Sequence, residues 1–323
     1  MISPENPSTE KLEKTMTTFE SSIYRCRAGP AHGHARTVLA GAAFGLTLAA
    51  GTAVAAPPGT VPFGVYDPEG SFSQDMDVSI EHVFMPWVGV DLSTLATADA
   101  YARERDRSLL VTVEPWIWGE TSSVETLRSR ILSGRHDATM QSVCAALVPL
   151  QSPVTVRWGQ EMDNPNGHFP WAMWEPEDHV AAYRRMVGAC RSVAPDLSFM
   201  WSPAGVEGMQ AYYPGDDVVD VIGLSVFGLQ DYERELQGGE KTFTDVLAPR
   251  YQRAVAFGKP IVVAELGFLG DDAYLDDWYN AVRAPQDDFA ELTAVIYFNR
   301  QEVWPWPNDF GLPDWRDSAQ RDN

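Results

Sequence analysis

Beyond residue 60 the chain alternates short β-branched runs with longer amphipathic stretches. Residues 61–67, 82–87, 109–114, 153–158, 197–201, 218–226, 260–265 and 292–298 each read as a short, mostly buried strand. Helical periodicity lies between them, over about 94–107, 123–149, 175–194, 243–257 and 272–283. One helix start is explicit: Glu175-Pro176-Glu177-Asp178 places proline in the first turn and acids against the positive end of the helix dipole. After Asn299 the chain is rich in tryptophan and proline and loses helical period, so a last helix is short or absent. Eight strands alternating with crossovers predict an α/β fold, a single-domain (β/α)8 TIM barrel over 57–323. The alternative, a doubly wound open sheet, usually carries a glycine-rich phosphate loop after its first strand. Asp67-Pro68-Glu69-Gly70 is not one.

Residues 1–56 read differently, as a leader. A run of small and apolar residues at 37–55 follows Arg25, Arg27 and Arg36, and ends in Ala53-Val54-Ala55 before Pro57-Pro58. This is the pattern of a secretory signal peptide, and it predicts a secreted or periplasmic protein. The run is also long enough for an uncleaved membrane anchor. The stretch before it is unusually long, and Met16 is a second candidate start.

Composition narrows the function classes. A net charge of −21 argues against nucleic acid and against polyanionic substrates, and favours a neutral ligand. The same acidity also serves solubility alone. All 11 tryptophans lie after residue 86, more than a core of this size needs. Indole faces match the apolar CH faces of sugar rings. No membrane partner is expected beyond the leader, and the chain reads as a monomer. Of the three cysteines, Cys144 and Cys190 lie in helical stretches that a barrel makes neighbours. They are expected as buried apolar side chains, with a disulfide as the alternative.

In a barrel the C-terminal strand ends share one mouth, where catalytic groups collect. Those ends carry Tyr66, Asp67, Trp87, Glu114, Trp116, Arg157, Gln160, Glu161, Trp201, Ser202, Ser225, Phe227, Glu265 and Asn299. Carboxylates, amides and aromatics dominate. No histidine–cysteine cluster points to a metal, no cofactor is expected, and no Gly-x-Ser-x-Gly elbow points to a serine nucleophile. Glu161 and Glu265 stand out, because each follows a β-branched run and a desolvated carboxylate is costly unless it is used. Two such groups across a barrel mouth suit cleavage of a glycosidic bond.

Two segments carry a more specific likeness. Arg157-Trp158-Gly159-Gln160-Glu161-Met162-Asp163, followed by Gly167-His168-Phe169-Pro170-Trp171, and Ala264-Glu265-Leu266-Gly267 resemble the strand-four and strand-seven motifs of glycoside hydrolase family 26. That family, the β-mannanases, belongs to a clan of retaining (β/α)8 glycosidases. The resemblance covers 61–317 and implies Glu161 as general acid/base and Glu265 as nucleophile. It implies a mannan endo-1,4-β-mannosidase-like enzyme that cleaves β-1,4-mannan or a related neutral β-glucan by double displacement. The alternative is a catalytically weak glycan-binding protein on the same barrel. Three departures bear on specificity: Gln160 stands where the family has histidine, the turn after Met162 is longer, and Phe227 replaces a frequent tyrosine.

Expected substrate-binding residues are Arg157, Gln160, Trp171, Glu114, Trp116, Trp201, Phe227 and Trp304. For several, a plainer role stands beside that one. Glu114 equally suits an ion pair with Arg157, the tryptophans equally suit core packing, and Asp67 suits a turn cap. Arg157 is expected to anchor Glu265 as a carboxylate. Burial and the charge of Glu265 are expected to keep a proton on Glu161.

Overall fold

The computed structural model describes residues 60–115, 123–164 and 169–317. The leader and Trp116 lie outside the described residues.

Eight strands close into a barrel in chain order. They are β1 (Phe63–Tyr66), β2 (Val78–Pro86), β3 (Ser108–Glu114), β4 (Val154–Trp158), β5 (Ser198–Trp201), β6 (Val221–Leu229), β7 (Ile261–Leu269) and β8 (Leu292–Phe298). Every neighbouring pair is parallel, including the closing pair of β1 and β8. The chain is therefore a (β/α)8 barrel, as the periodicity predicts. The helices are α1 (Thr94–Arg103), α2 (Val124–Leu132), α3 (Asp137–Leu147), α4 (Pro176–Arg191), α5 (Gln230–Leu236), α6 (Phe243–Ala254) and α7 (Asp272–Arg283).

Local chemistry sets several of these boundaries. The helical stretch read over 123–149 is two helices, because Gly134 takes a left-handed φ of 83° between them. Ser123 caps α2 by accepting from the Thr126 amide, and Thr242 with Asp245 forms a capping box on α6. Pro176 occupies the first turn of α4 as expected. The seven-residue α5, directly after β6, was not foreseen: it is too short for two turns of apolar period to show. No helix follows β8 through Arg316. Instead an isolated antiparallel bridge pairs Gln301 with Asp314, so this segment doubles back across the barrel.

The core has two layers, dictated by the alternation of side chains along each strand. The larger packs outward-facing strand residues such as Val111, Val156, Phe199, Leu224 and Val263 against the helices. The smaller, made of Leu110, Met200, Val262, Ala264, Ala294 and Ile296, fills the barrel interior. Above that apolar plug the interior turns polar.

Cys144 on α3 and Cys190 on α4 form a disulfide, with Cα atoms 5.2 Å apart and 46 positions between them in sequence. This corrects the expectation of two unpaired buried thiols. The helices were rightly read as neighbours, but spacing alone does not show that two side chains face each other.

Candidate active site

The polar layer starts from strand alternation. On β3, Leu110 points into the plug, so Thr112 and Glu114 point inward above it. On β5, Met200 lies in the plug and Ser202 follows above it. Arg157 on β4 joins them: its side chain is fully buried, its Nε donates to Ser202 Oγ at 2.8 Å, and its Nη1 makes a longer bond to Thr112 Oγ1 at 3.4 Å. Thr112 Oγ1 in turn lies 2.7 Å from Nε2 of His82 on β2. Burial, reinforced by the Arg157 charge, holds the His82 pKa well below its ordinary value, so the ring is neutral. A neutral imidazole accepts from the threonine hydroxyl, which leaves the threonine oxygen free to accept from Arg157.

Glu265 reaches this layer through a break in regular pairing. Leu224 of β6 pairs with Val263, but the next residue, Ser225, pairs with Glu265, so Ala264 is an extra residue on β7. Without that bulge Leu266 would take the inward position and Glu265 would face the helices. With it, Ala264 and Glu265 both face inward and Arg157 Nη1 meets Glu265 Oε1 at 2.6 Å. The expected anchoring of Glu265 by Arg157 is thus present in the geometry.

Burial falls mainly on Glu265 rather than on Glu161, where the sequence reading placed it. Glu265 is 8% exposed, while Glu161 is half-buried. Desolvation pushes the Glu265 carboxyl up to about 8, against the pull of Arg157 and with the help of the charges on Glu161 and Glu302. A Glu265 carboxyl raised to about 8 holds a proton at neutral pH.

Glu161 is placed by the turn that ends β4. Gly159 and Glu161 both have positive φ, 56° and 54°, and the Glu161 amide donates to the Ser202 carbonyl at 2.8 Å. A non-glycine residue there is uncommon and costs about 1–2 kcal/mol, a strain typical of functional sites. Asn164 Nδ2 donates to Glu161 Oε2 at 3.2 Å. Asp163 accepts from the amides of Ala204, Gly205 and Val206 at 2.6, 3.0 and 3.0 Å, tying this turn to the loop after β5. Glu161 and Glu265, far apart in sequence, thus respectively follow β4 and lie on β7 of one barrel, and the Glu161 charge is felt at Glu265.

The remaining predicted residues divide. Gln160 Nε2 donates to Glu114 Oε1 at 2.7 Å, so Glu114 bonds Gln160 rather than Arg157. Phe227 is half-buried, faces inward opposite Gly267, and packs 5.2 Å from Trp315. Trp304 is half-buried on the segment after β8. Trp201 and Trp171 are not surface platforms. Trp201 is fully buried against Tyr213 and Phe257, because with Ser202 turned inward alternation sends Trp201 toward the helices. Trp171 is also fully buried, stacks on Phe169, and donates from its indole to the Gln160 carbonyl at 2.6 Å. It supports the residue before Glu161. Asp67 caps its turn as expected, accepting from the Phe72 amide and from Asn299 Nδ2, each at 2.7 Å.

The periodicity did not single out His82, Thr112 or Glu302. The first two are buried in strands and give no signal of their own. Glu302 lies where the chain has no period. It becomes visible only through Trp315, whose indole donates to Glu302 Oε1 at 3.0 Å.

No family model matches the chain. Among solved structures, the catalytic domain of a family 26 endo-β-1,4-mannanase from Bacillus sp. JAMB-750 superposes with a TM-score of 0.59 at 18% identity, over 80% of this chain and 81% of that one. An endo-β-1,4-mannanase of Cellulomonas fimi gives 0.57 at 18% identity, over 74% and 64%. The resemblance to glycoside hydrolase family 26 holds at the level of the fold. Among curated sequences, a β-1,3-xylanase from Alcaligenes sp. is 31% identical over 109 residues, 31% of this chain and 22% of that protein. Endoglucanase H of Acetivibrio thermocellus is 23% identical over 251 residues, 72% and 26%. The chain thus spans about a quarter of the length of the curated relatives it matches.

Proposed function

We propose that this protein is a retaining glycoside hydrolase that cuts neutral β-linked polysaccharide, β-1,4-mannan or a related β-glucan, at internal bonds. The observation that carries the reading is the inward turn of Glu265 onto a fully buried arginine, at a point where the charge of Glu161 is felt. Ionised Glu265, its charge matched by Arg157, attacks the anomeric carbon as Glu161 gives its proton to the leaving oxygen. Glu161, now a carboxylate, takes a proton from water, and that water releases the sugar from Glu265. A proton on Glu161 suits this cycle, because it removes one of the charges that, added to burial, resist ionisation of Glu265.

The solved structures it resembles include endo-β-1,4-mannanases, and the curated relatives include a β-1,3-xylanase and an endoglucanase, all named as glycan-cutting enzymes. A secreted protein fits both the leader pattern and the Cys144–Cys190 disulfide, which persists in oxidising compartments. The test is release of reducing ends from soluble mannan, mixed-linkage β-glucan and β-1,3-xylan, compared with Glu265→Gln, which keeps a hydrogen-bond acceptor for Arg157. The reading expects cleavage of at least one glycan, reduced 10³-fold or more in the variant. Equal rates on every glycan would leave a binding protein.

A further inference from the structure

Two polar groups near Glu265 lie outside the catalytic cycle. The first is Ser225, cross-strand partner of Glu265, whose hydroxyl is buried and has no hydrogen-bond partner among the described residues. The second is Glu302. On β7, Glu265 and Gly267 share a face, and the space above Gly267 is taken by the rings of Phe227 and Trp315: a Cβ there would stand 2.7 and 2.9 Å from them. Trp315 is itself held in place, since the Tyr297 hydroxyl donates to its carbonyl at 2.6 Å and its amide donates to the Arg300 carbonyl at 3.2 Å. Its indole then fixes Glu302, whose own amide donates to the Pro313 carbonyl at 2.8 Å. The Trp306 ring packs 5.5 Å from that of Trp315 on the same segment.

A carboxylate offers about four acceptor positions, and the Trp315 indole fills one of those on Glu302. No arginine or lysine pairs with Glu302 among the described residues, yet its charge is felt at Glu265 and it feels that of Glu161. A half-buried carboxyl held by neutral donors, without a cation, is a poor structural device. It is a good acceptor for hydroxyl protons.

We propose that Glu302, with Ser225 beside Glu265, binds hydroxyl groups of the sugar ring whose anomeric carbon Glu265 attacks. Glu302 is thus a substrate-binding and specificity residue supplied by the segment after β8. This rests on the proposed glycosidase site. A carboxylate accepting from one hydroxyl, or from two adjacent ones, discriminates by ring stereochemistry, because an epimer moves the donor away and leaves the buried acceptor unmet.

The test measures binding apart from turnover. Mannohexaose, cellohexaose and laminarihexaose are titrated into Glu265→Gln protein by tryptophan fluorescence, with and without Glu302→Ala and Glu302→Gln. The proposal expects Glu302→Ala to weaken the tightest-bound hexaose about 10- to 100-fold, and Glu302→Gln, which retains one acceptor, to weaken it less. Melting of Glu302→Gln no lower than that of wild type at the same pH separates this from loss of the indole anchor. If Glu302→Ala does not fold, Glu302→Gln at threefold or more decides in favour. Binding within twofold in every folded variant overturns the proposal, as does absence of binding to all three hexaoses. Reducing-end release by the otherwise wild-type protein keeps the two readings apart. Cleavage without a Glu302 effect leaves the glycosidase standing and removes Glu302. A Glu302 effect on binding without cleavage does the reverse.

Discussion

Arg157 and Glu265 meet at 2.6 Å inside the barrel, the guanidinium wholly cut off from solvent. The contact depends on the extra residue at Ala264, which turns Glu265 inward, and on Thr112, Ser202 and neutral His82, which hold the arginine from below. The pairing offsets part of the desolvation of Glu265 but not all of it, which is why the carboxyl is raised to about 8.

That balance predicts the acid limb of catalysis. Glu265 must be ionised to attack, so a raised pKa moves the acid limb of kcat/KM from the ordinary carboxylate range toward neutrality. Arg157→Met removes the one group that pulls Glu265 down. Its acid limb should move to higher pH, with kcat reduced on the order of 10²-fold or more. A pH–rate series on both proteins checks this, and an unmoved limb contradicts the role given to Arg157.

Glu302 makes a stability prediction with a definite sign. Burial raises its carboxyl from 4.5 to about 7 in the folded protein, with the bond from the Trp315 indole opposing the rise and the charge of Glu161 adding to it. A raised folded pKa means that the stability from the protonated Glu302 carboxyl is fully present below about pH 4.5 and is lost as pH rises through about 7. Glu302→Gln, which cannot ionise, should match wild type in melting temperature near pH 4 and exceed it by roughly 2–4 °C at pH 8. Melting curves at the two pH values measure it; a gain at pH 4 alone would reverse the sign.

Gln160 bonds Glu114 at 2.7 Å and cannot titrate. Gln160→His places an ionisable ring one residue from the proposed acid/base. Its pH–rate curve should acquire a shape that differs from wild type between about pH 5 and 8. Superimposable curves would show that this position does not tune the site.

The disulfide closes a 46-residue separation between α3 and α4. Chain entropy assigns such a link roughly 3–4 kcal/mol. Replacing both Cys144 and Cys190 by alanine should cost about 2–4 kcal/mol in denaturant unfolding without changing kcat, since the bond lies outside the barrel mouth. A cost near zero would show that packing of the two helices suffices.

The barrel was legible because its strands are short β-branched runs at regular intervals, and Glu161, Arg157 and Glu265 because they sit beside those runs. Boundaries shifted where tertiary pairing extended a strand, as in β7, which continues to Leu269 once its outer residues Leu266 and Phe268 find the helices. Which way a side chain faces was less legible. Trp201 and Trp171 looked like sugar platforms, yet both point into packing. The bulge that aims Glu265 inward leaves no mark in the sequence, since Val-Val-Ala-Glu-Leu reads as one uninterrupted run. Glu302 was hidden because its partner Trp315, 13 positions on, reaches it only when the segment after β8 folds back.

In the proposed mechanism Glu265 bonds to sugar while Glu161 moves the proton. The most direct measurement is peptide mass mapping after reaction with 2-deoxy-2-fluoro-β-mannosyl and β-glucosyl fluorides, which slow release of the glycosyl-enzyme. The account predicts one added fluorosugar on the peptide carrying Glu265, absent from Glu265→Gln and slower to form in Glu161→Ala with a poor leaving group. A protein that cleaves glycan yet carries the label on another residue, or carries none, would contradict it.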